Sequence, residues 1–110
     1  WDEDENMIQS FYNDYLGYDG IAPHPMLGWL AQDMVQRHLD CPSALCILTL
    51  QDWLACNERM RLPEVGAERI NIPANPRHYW RYRMHLNIED LMEAIEFNTQ
   101  ITGMICQSGR

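Results

Sequence analysis

The chain has 110 residues, 46% of them hydrophobic and 22% charged, with 16 acidic against 8 basic side chains and a formal charge of −8 at pH 7. That length holds one domain at most and is far short of the roughly 250 residues of a complete (β/α)8 barrel. The acidic balance disfavours nucleic acid and anionic membrane as partners and leaves neutral ligands compatible.

No apolar run reaches the roughly 20 residues of a membrane span, and Trp1-Asp2-Glu3-Asp4-Glu5 has neither an initiator Met nor the order of a signal peptide. The start is read as a boundary or a cleavage point. Cys41, Cys46, Cys56 and Cys106 form no C-x-x-C pair, and Cys46 lies in an apolar run, so a reducing cytoplasm is the simpler setting. His38 and Cys41 have ligand-like spacing, but tetrahedral zinc wants three or four converging ligands and none joins them locally. No metal is expected.

In chain order, acidic residues 2 to 5 precede an apolar stripe of Met7, Ile8, Phe11, Tyr12, Tyr15 and Leu16, which predicts an amphipathic helix over about 3–16 ending at Gly17. A Gly- and Pro-containing connection follows. A second helix over about 26–39 is expected to turn Leu27, Leu30, Ala31, Met34 and His38 to one face, with Pro42 stopping it. Residues 44–50 are apolar except for Thr49, as in a strand buried on both faces, and the alternative is a short core helix continuing into residues 51–55. Pro63, Gly66, Pro73 and Pro76 make residues 58–86 a long ordered loop, whose rings need burial to hold it. Asn87 as N-cap then opens a helix over about 88–103, with Ile88, Leu91, Met92, Ile95, Thr99 and Thr102 inward and fraying after Gly103.

Within the loop, Arg69-Ile70-Asn71-Ile72-Pro73 followed by Tyr79-Trp80-Arg81-Tyr82-Arg83 resembles the C-terminal signature of the amylomaltase family, the 4-α-glucanotransferases: Arg-Met-Asn-x-Pro-Gly, then Asn-Trp-x-x-Arg. Ala74 stands for the usual Gly and Tyr79 for the usual Asn, a pattern that looks closer to the branch containing the plant cytosolic disproportionating enzymes. Leu50-Gln51-Asp52-Trp53-Leu54 is similar to the family's Leu-Gln-Asp-x-Leu after its last strand. The resemblance covers nearly all of the chain. It implies an α/β fold class, the C-terminal fragment of a (β/α)8 TIM barrel, mainly helical with one buried strand and a long ordered loop.

The activity it implies is transfer of α-1,4-glucosyl units between maltooligosaccharides by a retaining mechanism, without cofactor or metal, on an α-1,4-glucan or maltooligosaccharide substrate. Retention needs two carboxyl groups about 5–5.5 Å apart, and no such pair is legible here. The family's catalytic acids lie on earlier strands, so no catalytic residue is expected in these 110. Asp52 follows the expected strand, but a helix N-terminal acid is the preferred reading over catalysis.

For sugar binding, Asn71, Gln51 and Asp52 suit hydroxyl partners and Trp80 or Tyr79 an apolar ring face; the resemblance implies that Asn71 reaches the cleft. Arg69 could orient the cleft loop or bond local carbonyls. For Trp80, Arg81, Tyr82 and Arg83, rings packed against the fold with arginines stacking on them or pairing with carboxylates is favoured. The isolated fragment is expected to self-associate, its strand lacking neighbours. A rival from another class is a free-standing helical protein-interaction module using the Tyr-Trp-Arg-rich loop.

Overall fold

The computed structural model describes residues 4–70, 72–79 and 81–110, and they form helices joined by irregular segments, with no strand among the described residues. Helix α1 (Glu5–Ser10) starts where the Asp4 side chain accepts the Met7 N–H at 3.0 Å, with Glu5 in the first turn at the positive end of the helix dipole. It continues as a π-helical turn, Phe11–Tyr15, closed by the Leu16 N–H to the Phe11 carbonyl at 2.9 Å. Gly17 ends it at φ 80°, a conformation available to glycine without steric cost. Tyr12 and Leu16 turn inward as expected, while Met7 and Tyr15 stay exposed.

The connection to the next helix is held by side chains of α1 rather than by its own backbone. Gln9 Nε2 donates to the Gly20 carbonyl at 2.8 Å while Gln9 Oε1 accepts the Ala22 N–H at 3.0 Å, and Asn13 Nδ2 donates to the Tyr18 carbonyl at 2.7 Å. Backbone groups outside regular structure must find such partners when they leave water.

Helix α2 (Gly28–Asp40) buries Leu30, Ala31, Val35 and Leu39. Its N-terminal half joins Tyr12, Leu16 and Ala22 in one cluster; its C-terminal half joins Cys56 and Met104 in a second, with Cys46, Leu48, Trp53 and Ile101 against it. His38 and Leu27 were expected on the inner face. His38 is exposed, its Nδ1 at 2.7 Å from the Met34 carbonyl, and Leu27 is the N-cap residue. Val35 and Leu39 take the inner positions because the second cluster lies off the axis of the first.

The largest correction falls on residues 44–50 and, with them, on the α/β fold class. Residues 44–49 are irregular and extended, and Leu50 already belongs to helix α3 (Leu50–Ala55). Cys46 and Leu48 face the second cluster while Leu45 is 78% and Ile47 89% exposed, so only one side is covered. A strand needs a ladder partner for its N–H and C=O groups, and no described segment supplies one. Of the two readings of the apolar run, only the start of a short helix is realised.

Between α3 and α4 (Ile88–Glu93) the chain is irregular except for a 3-10 turn, Val65–Glu68. This is the expected loop, but Tyr79 is 76% exposed instead of buried, with the Arg81 guanidinium 5.6 Å over its ring. Asn87 caps α4 reciprocally with Asp90, as its sequence suggested. The single closing helix expected over 88–103 is two: Ala94, at φ −75° and ψ 65°, breaks it, and α5 runs Ile95–Gln107.

The break rotates the inward stripe. Phe97 and Met104 are buried with Ile101 and Ile105 packed nearby, while Ile88, Met92 and Ile95 are exposed. Fraying after Gly103 does not occur; Gly109, at φ 75°, ends the helix, and Arg110 donates to the Leu39, Cys41 and Ser43 carbonyls at 2.7 Å each.

The fold is open. Its radius of gyration is 15.5 Å, against about 13 Å for a compact domain of this length. Stability therefore rests on few side chains, foremost Leu30 and Leu54, each 0% exposed. Leu30→Ala or Leu54→Ala should each cost about 2–5 kcal/mol through lost transfer energy and a residual cavity, whereas Leu45→Ala should stay within about 0.5 kcal/mol. Urea titration monitored by circular dichroism checks both.

Candidate functional site

The Leu-Gln-Asp segment and the Arg-x-Asn segment meet through one hydrogen bond. Gln51, half-buried in the first turn of α3, donates from Nε2 to the Glu68 carbonyl at 3.1 Å, so the end of the 3-10 turn is held on α3 just before Arg69. Arg69 is exposed, its backbone N–H reaching the Gly66 carbonyl at 3.4 Å. Beyond it, His78 Nε2 lies 2.8 Å from the Ile70 carbonyl and Asn75 Oδ1 accepts the Arg77 N–H at 3.0 Å, which fold the segment back on itself. Asn71 and Trp80 lie outside the described residues.

Asp52 is not gathered with the others. It forms a capping box with Thr49: Oδ2 accepts the Thr49 N–H at 2.9 Å and the Thr49 hydroxyl at 2.7 Å, while the Thr49 Oγ1 accepts the Asp52 N–H at 3.2 Å. This is the helix N-terminal role preferred from the sequence. Its other surroundings are the lining of a pocket of about 150 Å³ with Met26, Ala31, Met34, His38 and Leu48. Sequence spacing brought Gln51 and Asp52 together as neighbours, but on a helix successive side chains point about 100° apart.

Two side chains that the sequence did not single out as a pair occupy the ends of this segment. Glu68 Oε1 and the Tyr82 hydroxyl are buried without a hydrogen-bond partner among the described residues. Burial pushes the Tyr82 phenol above its usual range, and the adjacent Glu68 charge raises it further. Tyr82 was expected to pack against the fold, and it is half-buried. The signal for Glu68 was thin, a lone acid before Arg69.

A wide groove of about 590 Å³ opens elsewhere, lined by Gly28, Trp29, Asn57, Glu58, Arg59 and Gln100 among others. Its polar groups bond mainly to one another. Gln100 Nε2 donates to Gln32 Oε1 at 2.8 Å and to the Cys56 carbonyl at 3.0 Å, Asn57 Nδ2 donates to Gln100 Oε1 at 3.2 Å, and Glu58 Oε1 accepts the Gly28 N–H at 3.1 Å. The groove is thus a junction of three helices. His38 and Cys41 are both exposed, and no cluster of three or more His, Cys, Asp or Glu forms among the described residues.

A turn of amide, carboxylate and guanidinium side chains beside tyrosines on an irregular segment is the equipment of a carbohydrate-active protein. The chain belongs to the 4-alpha-glucanotransferase family, whose family model matches residues 1–88. It is 34% identical, over 110 residues, to the 4-alpha-glucanotransferase DPE2 of Oryza sativa subsp. japonica, a match that covers 100% of this chain and 12% of that relative. The chain thus spans about an eighth of the length of that curated relative. No solved structure matches it.

The described cysteines are free, and they separate chemically. Cys41 is exposed, and the Ser43 hydroxyl 3.5 Å away, the Ser43 backbone and then the Arg110 charge draw its thiol below the usual value of 9. Cys56 is buried, its thiol donating to the Asp52 carbonyl at 3.4 Å, and burial followed by the Asp52 charge pushes it up to about 11. A raised folded value means that the folded state holds its proton longer than the unfolded one, so this contribution to stability is whole below about pH 9 and is lost as pH rises from there through about 11. Iodoacetamide at pH 8 should therefore label Cys41 rapidly and Cys56 only after unfolding, with peptide mass spectrometry as the readout; equal labelling of the two would contradict the packing of Cys56.

Proposed function

We propose that the chain is the C-terminal end of the catalytic domain of a 4-α-glucanotransferase that moves α-1,4-linked glucosyl units between maltooligosaccharides with retention. The observation that carries this reading is the 34% identity extending over all 110 residues to a 4-alpha-glucanotransferase. Under this reading the chain contributes glucan contacts and no catalytic acid. Asn71, Gln51, Asp52 and Arg69 act on sugar hydroxyls. Gln51 can serve through Oε1, since its Nε2 is engaged with the Glu68 carbonyl. Asp52 can serve through Oδ1, since both of its accepted bonds fall on Oδ2.

Family membership weighs against the free-standing interaction module. Exposed Ile21, Leu45, Ile47, Ile88, Met92 and Ile95 also support a chain that packs against further polypeptide. The free cysteines support a reducing, cytoplasmic setting. No helix among the described residues is long and apolar enough to cross a membrane.

Two measurements test the proposal. The purified 110-residue chain should release no glucose from maltotriose above a buffer blank and should associate with increasing concentration in sedimentation equilibrium, because its apolar face is uncovered. In the full-length enzyme, Asn71→Ala should lower kcat/KM for maltotriose disproportionation by the equivalent of about 1–3 kcal/mol while the fold is retained. Unchanged kcat/KM would remove Asn71 from the site.

A further inference from the structure

Residues 69–81 leave the 3-10 turn at Glu68 and return at Tyr82, so these two side chains stand at the neck of the segment that carries Arg69 and Asn71. One limb of the neck is already fixed, by Gln51 Nε2 on the Glu68 carbonyl at 3.1 Å. The interior of the segment is fixed by His78 Nε2 on the Ile70 carbonyl at 2.8 Å. What is unmade is the link between limbs. Glu68 Oε1 and the Tyr82 hydroxyl are both shielded from solvent and both lack a partner among the described residues.

A buried donor or acceptor left unpaired is costly, and native proteins keep few such groups. These two are complementary, because a phenol O–H donates and a carboxylate oxygen accepts, and Glu68 is near enough for its charge to act on the phenol. Bonds that serve a reaction are often long or misaligned without ligand and tighten in the complex.

We propose that Glu68 and Tyr82 are positioning residues for the glucan: with a maltooligosaccharide bound, the Tyr82 hydroxyl donates to the Glu68 carboxylate, closes the neck and fixes the Arg69-to-Tyr79 segment against α3. The inference rests on the transferase reading above. Neither side chain need touch sugar. The pair acts through the segment it holds, and because the closed neck favours bound substrate and transition state alike, its loss is felt in KM more than in kcat.

The test uses the full-length enzyme containing this chain, with maltotriose as probe, in wild type, Tyr82→Phe, Glu68→Gln and the double variant Tyr82→Phe/Glu68→Gln. Tyr82→Phe should lower kcat/KM on the order of tenfold, the size expected for one hydrogen bond to a charged group, with the loss in KM. Glu68→Gln keeps an acceptor and should lose less, and the double variant should be no worse than Tyr82→Phe alone. Hydrogen exchange at amides 70–79 should slow on adding maltotriose in wild type and in Glu68→Gln, but not in Tyr82→Phe.

A Tyr82→Phe enzyme with unchanged kinetics and an unchanged or raised melting temperature would overturn the proposal, since the hydroxyl would then be an unpaired buried group and nothing more. A lowered melting temperature with unchanged KM would assign it a structural role and overturn it equally. A wild-type enzyme that does not disproportionate maltotriose would bring down the transferase reading and this inference with it, whereas an active wild type indistinguishable from Tyr82→Phe would bring down this inference alone.

Discussion

Helix α2 is buried on two sides at once, and the rest of the fold depends on it. Leu30 closes the cluster built by Tyr12, Leu16 and Ala22, and Val35 with Leu39 closes the one built by Cys56 and Met104. Neither cluster alone buries enough apolar surface to offset the entropy of ordering its segments. Polar groups reinforce the same helix at both ends and its middle: Glu58 accepts the Gly28 N–H, Gln100 reaches Gln32, and Arg110 takes the carbonyl of Leu39. Segments that do not reach α2 or its neighbours are the irregular ones. Residues 69–79 make their described bonds mostly within themselves.

That dependence explains what could be read from the sequence. The helix over residues 5–16, the end at Gly17, the helix at 28–40 and the Asn87–Asp90 cap are set by local chemistry: a carboxylate on free N–H groups, a residue able to take positive φ, a stripe at helical spacing. Such signals act within a few residues and survive whatever the distant chain does. The role of Asp52 as a first-turn acid was legible for the same reason.

The misreadings share an opposite cause. Whether Ala44 to Thr49 forms a strand depends on a ladder partner that sequence patterning cannot supply, and an apolar run of that length suits a buried strand and a one-sided extended segment equally. Ile88, Met92 and Ile95 have the spacing of an inner face, yet Ala94 breaks the helix and hands the interior to Phe97, Ile101 and Met104. His38 was drawn inward by periodicity and is exposed because Val35 and Leu39 already meet the second cluster. The family signature at 69–83 was readable without any of this, since it is a matter of residue order, whereas the partnership of Glu68 with Tyr82 is separated by the whole segment and appears only once the chain is folded.

The placement of the candidate sugar ligands follows from the same economy of bonds. Gln51 and Asp52 each spend half of their hydrogen-bonding capacity on the backbone, one holding the Glu68 carbonyl and the other the Thr49 N–H. A side chain fixed in this way loses little further rotamer freedom when a hydroxyl arrives, so the entropy cost of binding is partly met in advance. The remaining acceptor atoms then project from a helix turn whose own geometry is set by the capping box, rather than from the loop. Segment 69–79 lacks such an anchor except at its neck, and the unmade Glu68–Tyr82 contact is where one more bond would convert a loosely held strip of backbone into a rigid wall beside α3.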